Sequence, residues 1–488
     1  PEISLTPQTV DRFRARFGNI VGVYHSRQTL YQKFNLGRQI ESGEVKIVIG
    51  ARSAVFVPFL ALGMIIVDEE HTSSFKQDAS PRYNARDVAI VRAQKLNAVV
   101  VLGSATPSLE SYYNARINKH QLLELPERVG HIPMPRVELV DMAQELRKTH
   151  GNPGVLSDRL KSAIELRLLA KEQCLLLLNR RGYASVSMCL ECETAEMCED
   201  CSVPMTYHRS HGFLVCHLCG LRRSRKMQCP ACQSKEMALI GVGTQKVEET
   251  LEALFPRAKT IRLDSDSLKG RTAWTDIWDD IRNHRFDLIL GTQMIAKGLH
   301  LEKVTLVGVI SADSGILQPD FRAAERTFSL LAQAAGRSGR GDTPGEVIIQ
   351  TYSPQHYAIQ LACQHDYKTF YEKEMKLRRA LRFPPMERLI SLLVSGDRQE
   401  SVRALSGRLA GLLRAIARTE PFFGVVVLGP APCAIERIRG RWRWRILLRA
   451  VQAQKMRDLA RAGLKEFGKI QGASTVTVQL DADPQDLL

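Results

Sequence analysis

Eight of the 11 cysteines in this chain fall between Cys189 and Cys232, arranged as four C-x-x-C pairs. The pairs are Cys189/Cys192, Cys198/Cys201, Cys216/Cys219 and Cys229/Cys232. A C-x-x-C turn sets two thiolates at the spacing that one tetrahedral Zn²⁺ takes, and eight sulfurs make two closed sites of four. A closed site leaves no position for water, so both read as structural. In a long chain with no charged and apolar leader pattern, close pairs of this kind read as zinc ligands and not as disulfides. Spacing does not fix which pair joins which. Nesting the two middle pairs inside the two outer ones is one solution. His208, His211 and His217 lie nearby and read as non-ligands, because eight thiolates already satisfy two metals. About forty residues offer little core, so metal binding supplies most of this segment's stability. Arg209, Arg222, Arg223, Arg225 and Lys226 stud the block. They suit a duplex fork or a partner protein, with a solubilising charge face as the plainer alternative.

The rest of the chain is ordinary globular sequence: 488 residues, 44% hydrophobic and 25% charged. That composition excludes disorder, collagen and coiled coil, and the length suggests about three domains. No run approaches the ~18 apolar residues of a membrane span, so the expected location is cytoplasmic, with no membrane partner. A surplus of 68 Lys and Arg over 52 Asp and Glu favours a polyanionic partner, with nucleic acid first. Aromatic content of 6% argues against a binder that works by stacking alone. Pro1 to Gln8 reads as the middle of a domain, so an N-terminal part is expected to be missing.

Apolar runs at 20–24, 45–49, 64–67 and 99–102 alternate with helical patterns, the signature of an α/β parallel sheet. The style resumes over 135–188 and 235–353, with runs at 174–178, 239–242, 260–263, 288–290, 304–310 and 347–350. The cysteine block interrupts it as an insertion. The texture changes after Pro354: 360–418 reads as helical and Arg-rich, and 424–428 and 442–448 read as strands. The expected domains are 1–125, a partial first lobe; 126–188 and 234–353, a second lobe; 189–233, the zinc insertion; and 354–488, a C-terminal domain.

Four motifs carry chemistry. The run 64–67 ends in Asp68-Glu69-Glu70-His71, where a carboxylate at a strand end can hold Mg²⁺ on a nucleotide's phosphates and its neighbour can polarise the attacking water. A solvated acidic turn is the competing reading. Gly103-Ser104-Ala105-Thr106-Pro107 ends the next strand and suits coupling of the metal strand to movement. Gly291-Thr292-Gln293-Met294-Ile295-Ala296-Lys297-Gly298 follows another strand, with polar groups for a phosphate or backbone. Gln333-Ala334-Ala335-Gly336-Arg337-Ser338-Gly339-Arg340 closes a helix, and Arg337 and Arg340 share one face of a turn, placed to clamp a polyphosphate.

In this order the motifs resemble those of superfamily-two helicases, and with the cysteine block the chain resembles the bacterial replication-restart primosomal helicase family over nearly its whole length. The resemblance implies two RecA-like lobes, the first incomplete, a two-zinc ribbon in the second, and a C-terminal α+β domain. It implies Asp68 and Glu69 as the Walker B pair, with His71 and Gly298 beside the nucleotide. Gln333, Arg337 and Arg340 then face ATP and Mg²⁺ from the second lobe. Arg52 and Ser53 lie near a single strand or couple the lobes, as do 103–106, and Thr292 and Gln293 also fall to DNA. The stretch from Ser74 through Tyr83 resembles an aromatic-rich loop, in which Phe75 and Tyr83 stack on bases and Lys76 assists, with core packing as the alternative. Nested zinc ligation also follows from the resemblance: Cys198, Cys201, Cys216 and Cys219 on one ion, and Cys189, Cys192, Cys229 and Cys232 on the other. The implied activity is ATP-dependent 3′-to-5′ DNA unwinding at stalled or repaired forks, leading to primosome assembly. Implied partners are branched and single-stranded DNA, single-strand DNA-binding protein and other primosome proteins. A non-enzymatic zinc-ribbon DNA-binding scaffold is the alternative.

The family's phosphate loop, G-x-x-x-x-G-K-[ST], does not occur in the 488 residues, so this chain alone is expected to be inactive. The stretch from Gly463 to Lys469 fits only G-x-x-x-x-G-K. It ends in Ile470 and lies in an amphipathic helical pattern, so it reads as a decoy. Ala51, Gln245 and Ser311 replace a usual Thr, Glu and Asp. Near the end, Arg441, Arg443 and Arg445 alternate with Trp442 and Trp444 at period two. On a strand this puts the arginines on one face, either as a phosphate rail or as the protection of an edge strand.

Overall fold

The computed structural model describes residues 6–127, 134–148, 155–178, 185–201, 203–208, 212–240, 244–263, 274–291, 304–336 and 345–487. The chain divides into two compact units: Pro1–His120 with Arg271–Asp280, and Gln121–Gly270 with Ile281–Leu488.

The first unit holds helices α1 (Thr6–Phe17), α2 (Leu30–Glu41), α3 (Ala85–Leu96) and α4 (Leu109–Arg116), and strands β1 (Val21–Tyr24), β2 (Ile47–Gly50), β3 (Met64–Asp68) and β4 (Val99–Gly103). Its helix starts follow from the sequence. Thr29 and Gln32 close a capping box on α2, and Asn84 and Ser108 accept from the first turns of α3 and α4. Strands β1 and β2 pair in parallel, as do β3 and β4, with Asp68 opposite Gly103. All four apolar runs anticipated here are strands, but among the described residues they form two separate pairs and not one sheet.

The second unit contains the other lobe. Strands β5 (Arg136–Asp141), β6 (Gln173–Leu178), β12 (Thr260–Leu263), β13 (Leu288–Gly291), β14 (Val304–Ser311) and β15 (Glu346–Thr351) form a parallel sheet in the order β12-β13-β6-β14-β15-β5. Every residue of β6 and β14 is buried, as expected for inner strands covered on both faces. One face packs on α6 (Asp158–Leu169) and α7 (Thr244–Leu254) through Leu160, Ile164, Val247 and Leu251. Helices α5 (Met142–Lys148), α9 (Asp313–Ile316) and α10 (Ala323–Ala335) complete this unit up to residue 336, while most of α8 (Trp274–Arg282) belongs to the first unit. This is the α/β lobe that the sequence led us to expect.

The insertion is a five-stranded antiparallel sheet of β7 (Ser185–Cys189), β8 (Thr206–His208), β9 (Phe213–Val215), β10 (Arg222–Ser224) and β11 (Met237–Ile240), ordered β10-β9-β8-β7-β11. The run at 239–242, expected in the parallel sheet, instead contributes to β11, which pairs with β7 and closes the base of the ribbon.

The C-terminal part begins with α11 (Tyr357–Cys363) and α12 (Tyr367–Leu381). A four-stranded antiparallel sheet follows, built from β16 (Arg388–Gly396), β17 (Val426–Ile438), β18 (Arg441–Ala450) and β19 (Thr477–Ala482) in the order β17-β18-β16-β19. Helices α13 (Gln399–Ala417) and α14 (Ala453–Phe467) cover one face through Leu405, Leu409, Leu413, Leu459 and Phe467. The other face meets the ribbon, where Leu389 and Leu447 cluster with Val203, Met205, Leu214 and Leu218. Gly463 sits in the crossing of the two helices: a Cβ there would lie 2.4 Å from Leu413 Cδ2. The phosphate-loop lookalike is therefore a helix whose glycine admits its neighbour.

Candidate functional site

The acidic turn is built by the pairing of β3 with β4. Asp68 is exposed at the strand end, and its Oδ1 accepts from the Glu69 amide at 2.9 Å. Glu69 takes a left-handed backbone, φ +52°, and is half-buried. Its carboxylate lies 3.6 Å from His71 Nδ1, which is also 2.7 Å from Ser104 Oγ. Ser104 Oγ in turn accepts from the Thr106 amide. The two motifs thus share a hydrogen-bonded edge, with Asp68 and Glu69 accessible and His71 braced.

The third acid has a different role, which sequence reasoning missed. Glu70 is 2% exposed. It accepts from the Ser108 amide at 2.6 Å, from the Ser108 and Ser111 hydroxyls, and from Arg86 Nη1 at 3.1 Å. Burial opposes the Arg86 charge, but Asp87 and Glu70 outweigh it and hold the guanidinium firmly protonated. The available signal was the pattern of an acid, a distant Arg and an N-cap Ser, which no local spacing connects.

Arg52 donates to the carbonyls of Ser74 and Lys76, and its guanidinium lies 6.0 Å from the Tyr83 ring centroid. Predicted DNA-contacting residues therefore brace one another. Ser53 and Tyr83 are half-buried, and Lys76 is buried. Phe75, expected to stack on bases, is 9% exposed and packs with Val67, Ala85 and Ala89. In this structure its ring fills a core, because the turn at 73–75 points it inward beneath α3.

In the second unit Gln333 is buried in the last turn of α10. Thr292, Gln293, Gly298, Arg337 and Arg340 lie outside the described residues.

The eight thiols form two groups in which the sulfurs all lie within 4.8 Å of one another: Cys189, Cys192, Cys229 and Cys232, and Cys198, Cys201, Cys216 and Cys219. This is the nested arrangement. Four converging sulfurs suit tetrahedral Zn²⁺, so the residues fit two structural ions. The groups differ in exposure. Cys192 and Cys232 of the outer group are exposed, while Cys198, Cys201 and Cys216 of the inner one are buried. Burial pushes the Cys192 thiol up, while hydrogen bonding to Thr194 pulls it down. His217 is not among the clustered ligands; its Nδ1–H donates to the Pro432 carbonyl at 2.8 Å. Arg223 pairs with Glu199, and Arg225 donates to Ser187 and to the Met237 carbonyl, whereas Arg222 and Lys226 stay exposed.

The arginine strand also needs correction. Strand β18 is flanked by β16 and β17, so it is not an edge and needs no edge protection. Arg441 and Arg443 lie toward its open end, with Arg441 donating to the Ser395 carbonyl and Thr477 Oγ1. Arg445 is 5% exposed and sits opposite Ala431, where the ribbon covers the sheet, so it cannot form part of an accessible rail. Trp444 packs in the helix-covered core, and Trp442 stacks beneath Arg437 at 5.4 Å.

Residues 379–485 match the primosomal protein N C-terminal domain, and residues 198–223 match the PriA DNA helicase Cys-rich region domain. The replication restart protein PriA of Treponema pallidum is 40% identical over 489 residues, covering 100% of this chain and 72% of that protein. The chain belongs to the PriA replication restart protein family. The PriA of Bacillus subtilis is 44% identical over 484 residues, 99% of this chain but 59% of the relative, so the chain spans little more than half of that PriA. Among solved structures, RecG bound to a three-way DNA junction is 14% identical with a TM-score of 0.42, covering 78% of this chain and 39% of that one. Among the described residues of this PriA-family chain, no helix is long and apolar enough to cross a membrane.

Proposed function

We propose that this chain is the motor and C-terminal portion of a cytoplasmic, ATP-dependent 3′-to-5′ DNA helicase. It acts on stalled or repaired replication forks and starts primosome assembly. The observation that carries the reading is the acidic strand end. In a PriA-family chain, Asp68 and Glu69 stand accessible where β3 stops, while Glu70 and His71 tie that end to Ser108 and Ser104. Bound Mg²⁺ and ATP supply the phosphoryl group and neutralise its charge. Asp68 would hold the metal, Glu69 would orient the attacking water, and the His71–Ser104 link would couple the turn to the end of β4. Gln333, Arg337, Arg340 and Gly298 are assigned to the nucleotide. Arg52, Ser53, Lys76, Tyr83, Thr292 and Gln293 are assigned to the single strand, and Arg441 and Arg443 to DNA phosphates. Single-strand DNA-binding protein and other primosome proteins are the proposed partners.

The test compares this chain with a version extended upstream by a strand and a G-x-x-x-x-G-K-T loop. The chain alone hydrolyses ATP negligibly. The extended form displaces a 3′-tailed DNA strand, and its Glu69→Gln variant does not. Full hydrolysis by Glu69→Gln overturns the assignment. DNA binding with no hydrolysis in either form favours a zinc-ribbon scaffold.

A further inference from the structure

Strand β17 is irregular where it passes the ribbon. Its register with β18 breaks between Leu428 and Ala431, and again between Pro432 and Arg437. Such bulges leave backbone groups outside the ladder and bend the strand, so its path needs holding from outside. From the helix side Arg414 of α13 donates to the Gly429 carbonyl, and from the ribbon side the inner thiolate knuckle supplies the hold. His217, next in sequence to Cys216 and 1% exposed, donates from Nδ1 to the Pro432 carbonyl at 2.8 Å. One residue past Cys219, Gly220 lies so close that a Cβ would come within 2.9 Å of the Pro430 carbonyl. The knuckle is itself closed by Gly220 N–H to Cys216 O and Cys216 N–H to Leu221 O, both 2.9 Å. Beyond the clamp, β17 runs out to a two-residue turn at Arg439 and Gly440, both at positive φ, and returns as β18. This arm carries Arg437, Arg439, Arg441 and Arg443, opposed within it by Glu436 alone.

We propose that the inner knuckle positions the arginine hairpin for nucleic acid, with His217 as the positioning residue. Metal held by Cys198, Cys201, Cys216 and Cys219 thereby sets the affinity of the C-terminal sheet for DNA. The knuckle's polar clamp is one buried hydrogen bond beside one close backbone approach, set on the apolar cluster that joins ribbon and sheet, so the shape of the metal loop reaches the bulge. The inference rests on the DNA-binding reading of Arg441 and Arg443.

The experiment titrates the full chain, its zinc content measured, into a fluorescein-labelled oligothymidylate followed by anisotropy. His217→Ala is expected to keep two zinc per chain yet weaken binding about fivefold, the worth of one net hydrogen bond. His217→Asn, whose amide can donate to the same carbonyl, is expected to restore most of it. Arg443→Ala weakens binding in the native background and by clearly less in the His217→Ala background. If His217→Ala binds normally at full zinc content, or if the two changes multiply independently, the positioning role is wrong while the DNA reading stands. If His217→Ala loses zinc and Asn does not rescue it, His217 serves the metal loop alone and the proposal fails. If Arg443→Ala has no effect in any background, the DNA reading of the hairpin fails and takes the proposal with it.

Discussion

Replacing Glu70 with Ala deprives the end of β3 of an acceptor that serves Ser108 twice, Ser111 once and Arg86 once. The Arg86 guanidinium then stays buried with only Asp87, on its exposed flank, and the carboxylate of Glu110 to offset its charge. Breaking a buried ion pair by removing one partner costs about 3–5 kcal/mol, because the surviving charge keeps its desolvation penalty. At about 1.4 kcal/mol per tenfold, amide protection around the site should fall by about two to four orders of magnitude. The assay is hydrogen exchange read by mass spectrometry on peptides covering 64–75 and 99–116, in the full chain. Glu69→Ala is the control: its side chain is half-buried and meets His71 at 3.6 Å, so protection there should change by less than about fivefold. The reasoning is refuted if Glu70→Ala leaves protection at the Glu69→Ala level.

Three further outcomes follow from the structure. Elemental analysis should find two zinc per chain, and a chelator should strip them in two phases, the outer site with its exposed Cys192 and Cys232 first; a single phase contradicts the difference in burial. His356 caps α11 by accepting the Ala358 amide, and burial pushes its imidazole down to about 4. Its contribution to stability is therefore complete above the unfolded value near 6.5 and is lost as pH falls from there toward 4, a swing of about 3 kcal/mol; denaturant midpoints of wild type and His356→Asn across that window should converge at low pH. Gly463→Ala should cost about 1–3 kcal/mol by overpacking Leu413 and leave ATP-analogue binding unchanged, so an unmoved melting temperature would refute the packing argument.

The parts of the fold that were readable share a physical cause. Runs such as 174–178 and 304–310 are continuous and apolar because inner parallel strands are buried on both faces, and both proved to be strands. The cysteine spacing carried the two thiolate groups for a similar reason, since a metal fixes local geometry whatever surrounds it. Strand β16 was hidden inside a region read as helical, because Arg388–Gly396 is a single stretch flanked by helices on both sides. The short ribbon strands carry too few residues to show a period. The misplacements at Phe75 and Arg445 have one source. A loop resemblance placed Phe75 and strand alternation placed Arg445, but neither shows whether a side chain is open, which depends on what packs over it from elsewhere in the chain, here α3 and the ribbon.

Because β7 and β11 pair with each other, the chain leaves the lobe after Leu178 and comes back before Thr244 by way of neighbouring strands, a separation of about 5 Å. To the parallel sheet, this excursion is topologically no more than a tight loop, so the lobe can acquire its strand order before any cysteine meets a metal. A shortcut joining the two stems should therefore spare the lobe's architecture. It would instead bare Leu317, Phe321 and Leu447, an oily scar marking where the module had been seated.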